Sequence, residues 1–132
     1  MTRPTRKLPG GALGAYQDGE TLDVSKLVVA AGNEAVSYAG AMETDFEDGP
    51  QQEVTLTGDV TDWTTTNRVA GAAVEIIVDP GSSARTLAFS SSWRWIGTAP
   101  TGIAADKLAL LRLTVRDTYD ESGIIAEWGV EQ

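Results

Sequence analysis

Strict alternation of apolar and polar residues is the feature that most constrains the fold of this chain, and it is clearest after residue 51. Successive side chains of a β-strand point to opposite faces, so a period of two predicts strands with one buried face. Four runs show this pattern, at residues 52–60, 72–81, 108–117 and 123–132. The positions predicted to face inward are Val54, Leu56, Val60, Val74, Ile76, Val78, Leu111, Leu113, Val115, Ile124, Ala126, Trp128 and Val130.

These runs are rich in threonine, valine and isoleucine, which suit pleated, half-buried surfaces. A further strand is predicted over residues 84–96, a short one over 34–40, and an acidic loop over 42–50. Residues 103–111 are predicted to form a loop that enters a strand, because alternation continues beyond them. We therefore expect an all-β fold, an antiparallel β-sandwich or jelly roll.

The first twenty residues differ from the rest, with prolines, glycines and no apolar run, and they predict an extended N-terminal arm over residues 1–20. Residues 21–51 are predicted to be a connecting segment with a short strand, and residues 52–132 the β-sandwich domain. The arm carries Arg3, Arg6 and Lys7. Two interpretations of this basic cluster stay open: a contact to an acidic neighbour or to nucleic acid, or a disordered basic tail. The acidic body favours docking on an acidic neighbour in the first case.

Composition excludes several classes of function. The chain of 132 residues contains neither cysteine nor histidine, which removes disulfides, thiolate metal sites and histidine-based catalysis. Its net charge is −9, and residues 8–132 hold 7 basic against 19 acidic side chains. Such a body repels nucleic acid and anionic lipid. No apolar run approaches the ~20 residues of a membrane span, and the N-terminus does not resemble a secretory signal.

Two tryptophans separated by one arginine stand out in the segment 90–100, "SSSWRWIGTAP". If residues 87–95 form one uninterrupted strand, Trp93 and Trp95 share a face with Leu87 and Phe89, which favours burial of at least one indole. A bulge at the serine run would instead expose the pair as a stacking platform for a sugar. The candidate glycan contacts are Trp63, Trp93 and Trp95.

Acidic clusters occur at residues 18–23, 43–49, 59–62 and 117–123, and none has the ligand spacing of an EF-hand calcium loop. We interpret them as solvated loop acids. The sequence thus predicts no catalytic residue, no metal site and no cofactor.

The segment 56–115 contains "LTGDVT", "DPGSSARTLAF", "WRWIGTAP" and "ADKLALLRL" in this order. Over residues 52–132 the chain resembles a module of structural proteins from tailed bacteriophages. The resemblance implies a β-sandwich or jelly-roll knob of a tail fibre, head fibre or capsid decoration, commonly trimeric.

We therefore expect a non-enzymatic virion protein, assembled in the bacterial cytoplasm, that forms a homotrimer and docks on capsid or tail proteins through its arm. The alternative is a tail-fibre module that recognises a host surface glycan. Ile77 and Ile125 have outward parity in their strands, and together they are candidates for a trimer contact.

Overall fold

The computed structural model describes residues 33–132, in which strands dominate and the helical residues form two short 3-10 turns. The strands of this part are β1 (Glu34–Val36), β2 (Ala41–Asp45), β3 (Gln51–Thr55), β4 (Asp62–Thr66), β5 (Ala73–Asp79), β6 (Arg85–Thr86), β7 (Arg94–Trp95), β8 (Gly102–Ile103), β9 (Ala109–Val115) and β10 (Ile124–Val130). The 3-10 turns are Phe46–Asp48 and Glu121–Gly123. The predicted all-β class is confirmed.

The largest sheet of the described part has six strands in the order β1-β3-β5-β9-β10-β7. The sheet is mixed, so the antiparallel prediction is wrong for three of its five strand pairings. β5, β9 and β10 pair antiparallel, whereas β1 with β3, β3 with β5, and β10 with β7 are parallel. Two smaller ladders accompany it, a parallel one of β2 and β4 and an antiparallel one of β6 and β8.

The parallel pairs follow from the route of the chain between sheets. Parallel neighbours need a crossover that returns the chain to the same end of the sheet. Here the crossovers are themselves strands: β2 separates β1 from β3, and β4 separates β3 from β5, and both belong to the second ladder. The chain alternates between two sheets, and each sheet therefore acquires parallel neighbours. Alternation in the sequence cannot reveal this path, because it marks faces and not directions.

The sequence prediction is most accurate for which residues of the long strands β5 and β9 face the core. The inner faces of β5 and β9 are fully buried, with Val74, Val78, Leu111 and Leu113 at most 1% exposed. The register aligns these residues across the ladder, Val74 opposite Leu113 and Ile76 opposite Leu111. One core cluster contains residues of the six-stranded sheet, both small ladders and the loops that join them.

Residues 42–45 are strand rather than loop, so the loop predicted over 42–50 is wrong in its first half. Met42 and Thr44 of β2 are 3% and 2% exposed, while Glu43 between them faces solvent. Thr44 tolerates burial because its hydroxyl accepts a hydrogen bond from Trp63 Nε1 at 2.8 Å. The acidic content hid this strand, since only its outward positions and its end are acidic.

The prediction of one strand over residues 84–96 is also wrong, because this segment forms two short strands separated by a turn. β6 ends at Thr86 and β7 begins at Arg94, with a turn at residues 91–92 between them. Trp93 N–H donates to Ser90 O at 3.2 Å, and Ser92 N–H donates to Ser90 Oγ at 3.3 Å. The serine run therefore reverses the chain locally, because short hydroxyl side chains bond the backbone of a turn.

Predictions for the arm 1–20, for residues 21–32, and for Arg3, Arg6 and Lys7 lie outside the described residues. Strands β1 and β2, in the predicted connecting segment 21–51, pair with β3 and β4 of the predicted domain. Within residues 33–132, no helix has the length and apolar composition required to cross a bilayer.

Candidate functional site

Four tryptophan side chains gather around Phe89, which lies on the segment that joins β6 to β7. Phe89 stacks on Trp63 with ring centroids 5.6 Å apart and meets Trp95 edge-on at 5.1 Å. Trp93 and Trp128 complete the cluster at 5.6 and 6.2 Å from Phe89. Aromatic pairs at these separations stabilise a core beyond the area they bury.

The three tryptophans proposed from the sequence as glycan contacts have different environments. Trp63 is 0% exposed and its Nε1–H is bonded to Thr44, so it cannot present a ring face to a sugar. Trp93 is 5% exposed, which confirms the prediction that at least one indole of the pair is buried. Trp95 is only half-buried. A stacking role for Trp63 is therefore wrong, and Trp95 is the indole of the three that offers accessible surface.

A cavity of about 440 Å³ opens beside this cluster. One wall is the segment 87–95, which includes Phe89, Trp93 and Trp95, and the other is the segment 99–101. The two segments are joined by the hydrogen bond from Leu87 N–H to Thr101 O at 2.9 Å. The cavity is lined by aromatic and aliphatic residues and by Ser90, Ser91 and Thr101, and no lining residue carries a charge.

Glu121 lies behind the cluster and joins three separate parts of the chain. Its carboxylate accepts hydrogen bonds from Trp93 Nε1 at 2.8 Å and from Thr65 N at 3.1 Å. It also accepts from Thr65 Oγ1 at 3.0 Å and forms an ion pair with Arg68 Nη1 at 2.7 Å. The side chains of Glu121 and Arg68 are 20% and 19% exposed, so the pair is largely withdrawn from water.

Glu121 belongs to the cluster 117–123, which we predicted to be solvated loop acids, and for this residue the prediction is wrong. Its neighbours show the expected turn chemistry, since Asp120 accepts a hydrogen bond from Ser122 N at 2.9 Å. A turn was therefore readable from "DESG". The partners of Glu121 were not, because they lie 28 to 56 residues away in the chain.

The other acids of the described part do not form a centre. No group of three carboxylates within residues 33–132 converges to hold a metal ion. The Asn67 side chain donates to Asp45 at 2.9 Å, and with the Glu47 backbone N–H it holds the pKa of Asp45 below its usual 3.8. Hydrogen bonds from the side chain and the backbone of Ser122 likewise lower the pKa of Asp120. The acidic cluster at 18–23 lies outside the described residues.

An apolar patch lines one concavity where β9 begins and β10 ends, and we define it as Ile77, Leu108, Leu110 and Val130. Ile77 and Leu110 lie on the outer face of the six-stranded sheet, whereas Val130 pairs with the buried Ala109 at the end of β10 and is exposed there. Leu110 lies directly between Ile77 and Gly129 in the register of β5, β9 and β10. The three residues Leu108, Leu110 and Val130 are 44%, 41% and 41% exposed. Ile125 does not belong to the patch, because it pairs with Thr114, four residues along the strand from Leu110.

No protein family model matches this chain, and no curated protein or solved structure is significantly similar to it.

Proposed function

We propose that this chain is a non-enzymatic structural protein of a tailed-phage virion, an oligomeric capsid decoration or a short spike or fibre. The N-terminal arm, with Arg3, Arg6 and Lys7, attaches it to capsid or tail proteins of the particle. The absence of histidine and cysteine and the resemblance over residues 52–132 support this role. The structural observation that carries it is the exposed apolar patch at the end of the six-stranded sheet, since a structural subunit needs a surface for its neighbours.

The fold that we propose for this role is a two-layer sandwich of the jelly-roll type. The six-stranded sheet forms one layer, and the β2–β4 and β6–β8 ladders form the other. A single core cluster shared by all three sheets supports this arrangement.

The oligomer that we propose is a homotrimer in which the apolar patch lies at the subunit contact. Of the two residues expected at this contact, Ile77 contributes to the patch, where it lies beside Leu110, and Ile125 does not. Acidic side chains border the patch, with Glu131 lining the same concavity and Asp79 ending β5. Because each subunit also carries a net charge of −9, association should strengthen as salt screens the repulsion.

The solution mass of the protein across a sodium chloride series tests this oligomer. We expect a species of three times 13.9 kDa whose population grows with salt, and we expect Leu110→Asp to abolish it. Val69→Asp is the matched control, because Val69 is an apolar residue 63% exposed that lies outside the patch. A monomer at every salt concentration, or equal loss of association in both variants, would overturn the proposed contact.

The virion role is tested on particles of the phage that encodes the chain. Mass spectrometry of purified particles should detect the protein in stoichiometric amounts. A variant without residues 1–14 should fold, as judged by its circular dichroism, but should be missing from the particles. Absence of the full-length chain from the particles would refute the role, and undiminished incorporation of the truncated chain would refute anchoring by the arm.

A further inference from the structure

We propose that the cavity between residues 87–95 and 99–101 is a binding site for a neutral saccharide, whose pyranose ring stacks on Trp95. This inference goes beyond the structural role and gives the protein a contact to a carbohydrate surface. The volume of the cavity, about 440 Å³, lies in the range of small-ligand sites, which is roughly 300–1,000 Å³. The site combines an accessible aromatic ring, a rigid support for that ring, and uncharged polar groups at the rim.

The Trp95 ring is held in place by its neighbours. Phe89 meets it edge-on at 5.1 Å, and Trp93 lies against it at 6.1 Å. Trp93 is itself fixed by its hydrogen bond to Glu121 at 2.8 Å. On the other side, β7 pairs with β10 through Ala126 opposite Trp95. A ring that is already ordered loses little conformational entropy when a ligand binds to it.

The lining determines the charge of the ligand. Hydroxyls of Ser90, Ser91 and Thr101 are suited to the hydroxyl groups of a sugar, because each can both donate and accept a hydrogen bond. No carboxylate and no cationic side chain lines the cavity. An acidic or basic sugar would therefore be desolvated without a partner, and the net charge of −9 also repels anionic glycans. These features favour a neutral saccharide.

A peptide is the main competing occupant of an aromatic groove, and the hydrogen bonds of this wall disfavour it. Proline-rich peptides dock in aromatic-lined grooves, and their backbone carbonyls require donors there. The indole N–H of Trp93 is already committed to Glu121. Strand addition is also disfavoured, because the N–H groups of Leu87, Ala88 and Ser90 donate to Thr101, Val60 and Trp63. A sugar ring needs no strand edge, since it contacts an aromatic ring through its C–H groups, and its hydroxyl groups can pair with Ser90, Ser91 and Thr101.

Tryptophan fluorescence and chemical shifts of the full-length protein, titrated with a panel of neutral oligosaccharides, test the inference. The panel consists of maltohexaose, cellohexaose, chitohexaose and mannohexaose, each at up to about 10 mM, where even millimolar affinities are detected. We expect at least one to saturate the signal and to shift the Trp95 indole resonance. Trp95→Ala should weaken that affinity about tenfold, the size expected for loss of a stacked ring.

Two further variants separate binding from stability. Ala99→Arg places a charged side chain into the cavity from an exposed position and removes no core ring, so it should abolish binding in a folded protein. Trp128→Ala removes a ring of the same cluster that does not line the cavity, and it should leave the affinity unchanged. Failure of all four sugars to bind, or unchanged affinity in Ala99→Arg, would overturn the inference. Binding of a proline-rich peptide that Ala99→Arg abolishes would overturn it in favour of a peptide site. None of these results bears on particle incorporation, which is measured separately.

Discussion

Replacement of Glu121 is the most informative test of how the described part of this chain is held together. Its carboxylate accepts hydrogen bonds from Trp93 and, on a second segment, from Thr65 and Arg68, and its side chain is 20% exposed. Glu121→Ala leaves the Trp93 indole N–H, the Thr65 N–H and the Thr65 hydroxyl without this acceptor, and it removes the ion-pair partner of Arg68. At the lower end of the cost of an unsatisfied group, about 1–1.5 kcal/mol each, the free energy of unfolding should fall by about 3–4 kcal/mol. This agrees with the ~3–5 kcal/mol observed when one partner of a buried ion pair is removed.

The size of the effect is measured by urea unfolding followed by tryptophan fluorescence. Glu127→Ala is the matched control, because Glu127 is an exposed glutamate of β10, and its removal should change stability by less than about 0.5 kcal/mol. The indole N–H resonance of Trp93 should shift in Glu121→Ala and not in Glu127→Ala, since the bond at 2.8 Å is lost only in the former.

A double-mutant cycle then separates the ion pair from the other bonds of Glu121. Arg68→Ala combined with Glu121→Ala should cost less than the sum of the single replacements, by about 1–3 kcal/mol, because the first removal already abolishes the pair. A loss below about 1 kcal/mol in Glu121→Ala, or strictly additive single effects, would show that this carboxylate is an ordinary surface acid.

Three further predictions concern the core, the backbone and the acidic turns. Trp63→Ala should destabilise the fold by roughly 3–5 kcal/mol in urea unfolding, because it empties a fully buried site, whereas Thr44→Val should cost about 1–3 kcal/mol for the unsatisfied indole N–H. Gly123→Ala should lower the melting temperature clearly more than Gly129→Ala, because a Cβ at Gly123 would clash with the Asp117 carbonyl, whereas at Gly129 it meets open space. The lowered pKa values of Asp45 and Asp120 stabilise the folded state above the usual pKa of 3.8, and this contribution disappears as the pH falls through the lowered values. Melting temperatures of Asp45→Asn and Asp120→Asn, measured from neutral to acid pH, should therefore fall less on acidification than that of the wild type, and an unchanged pH profile would contradict the prediction.

The sequence predicts some features of this protein better than others. It predicts the buried faces of the strands well, but not the strand directions or the long-range side-chain contacts. Which side chains face the core was predictable in β5, β9 and the first half of β10, where Val74, Leu113 and Ala126 are buried as alternation indicates. This succeeds because the two-residue period is a property of the extended backbone itself.

The prediction is wrong for Val130 at the end of β10, which was expected to face inward and is 41% exposed. The prediction is wrong at β2, where Met42 and Thr44 alternate with acidic residues that are typical of a loop. It is also wrong at the serine turn before Trp93, which was expected to be part of a strand.

The candidate site was predictable only in part. The tryptophan pair marked the right segment, and shared parity with Phe89 correctly predicted that one indole is buried. The reasoning assumed one strand, however, and the structure reaches the same burial through a turn that places Trp93 over Phe89 and leaves Trp95 half-buried. For Trp63 the sequence prediction is wrong. This tryptophan was a candidate glycan contact because its acidic, threonine-rich surroundings gave no sign of burial, yet it is completely buried.

By itself the sequence determined an all-β chain, the inner faces of its long strands, and an acidic surface without histidine or cysteine chemistry. These are local or compositional properties, and each follows from neighbouring residues or from residue types alone. Tertiary structure decided the parallel pairing of β1, β3 and β5, the hydrogen bonds that join Glu121 to distant segments, and the cavity beside Trp95. Each of these depends on contacts between residues far apart in the chain, and such contacts are set by the path of the connections and the packing of the whole core, which no local period encodes.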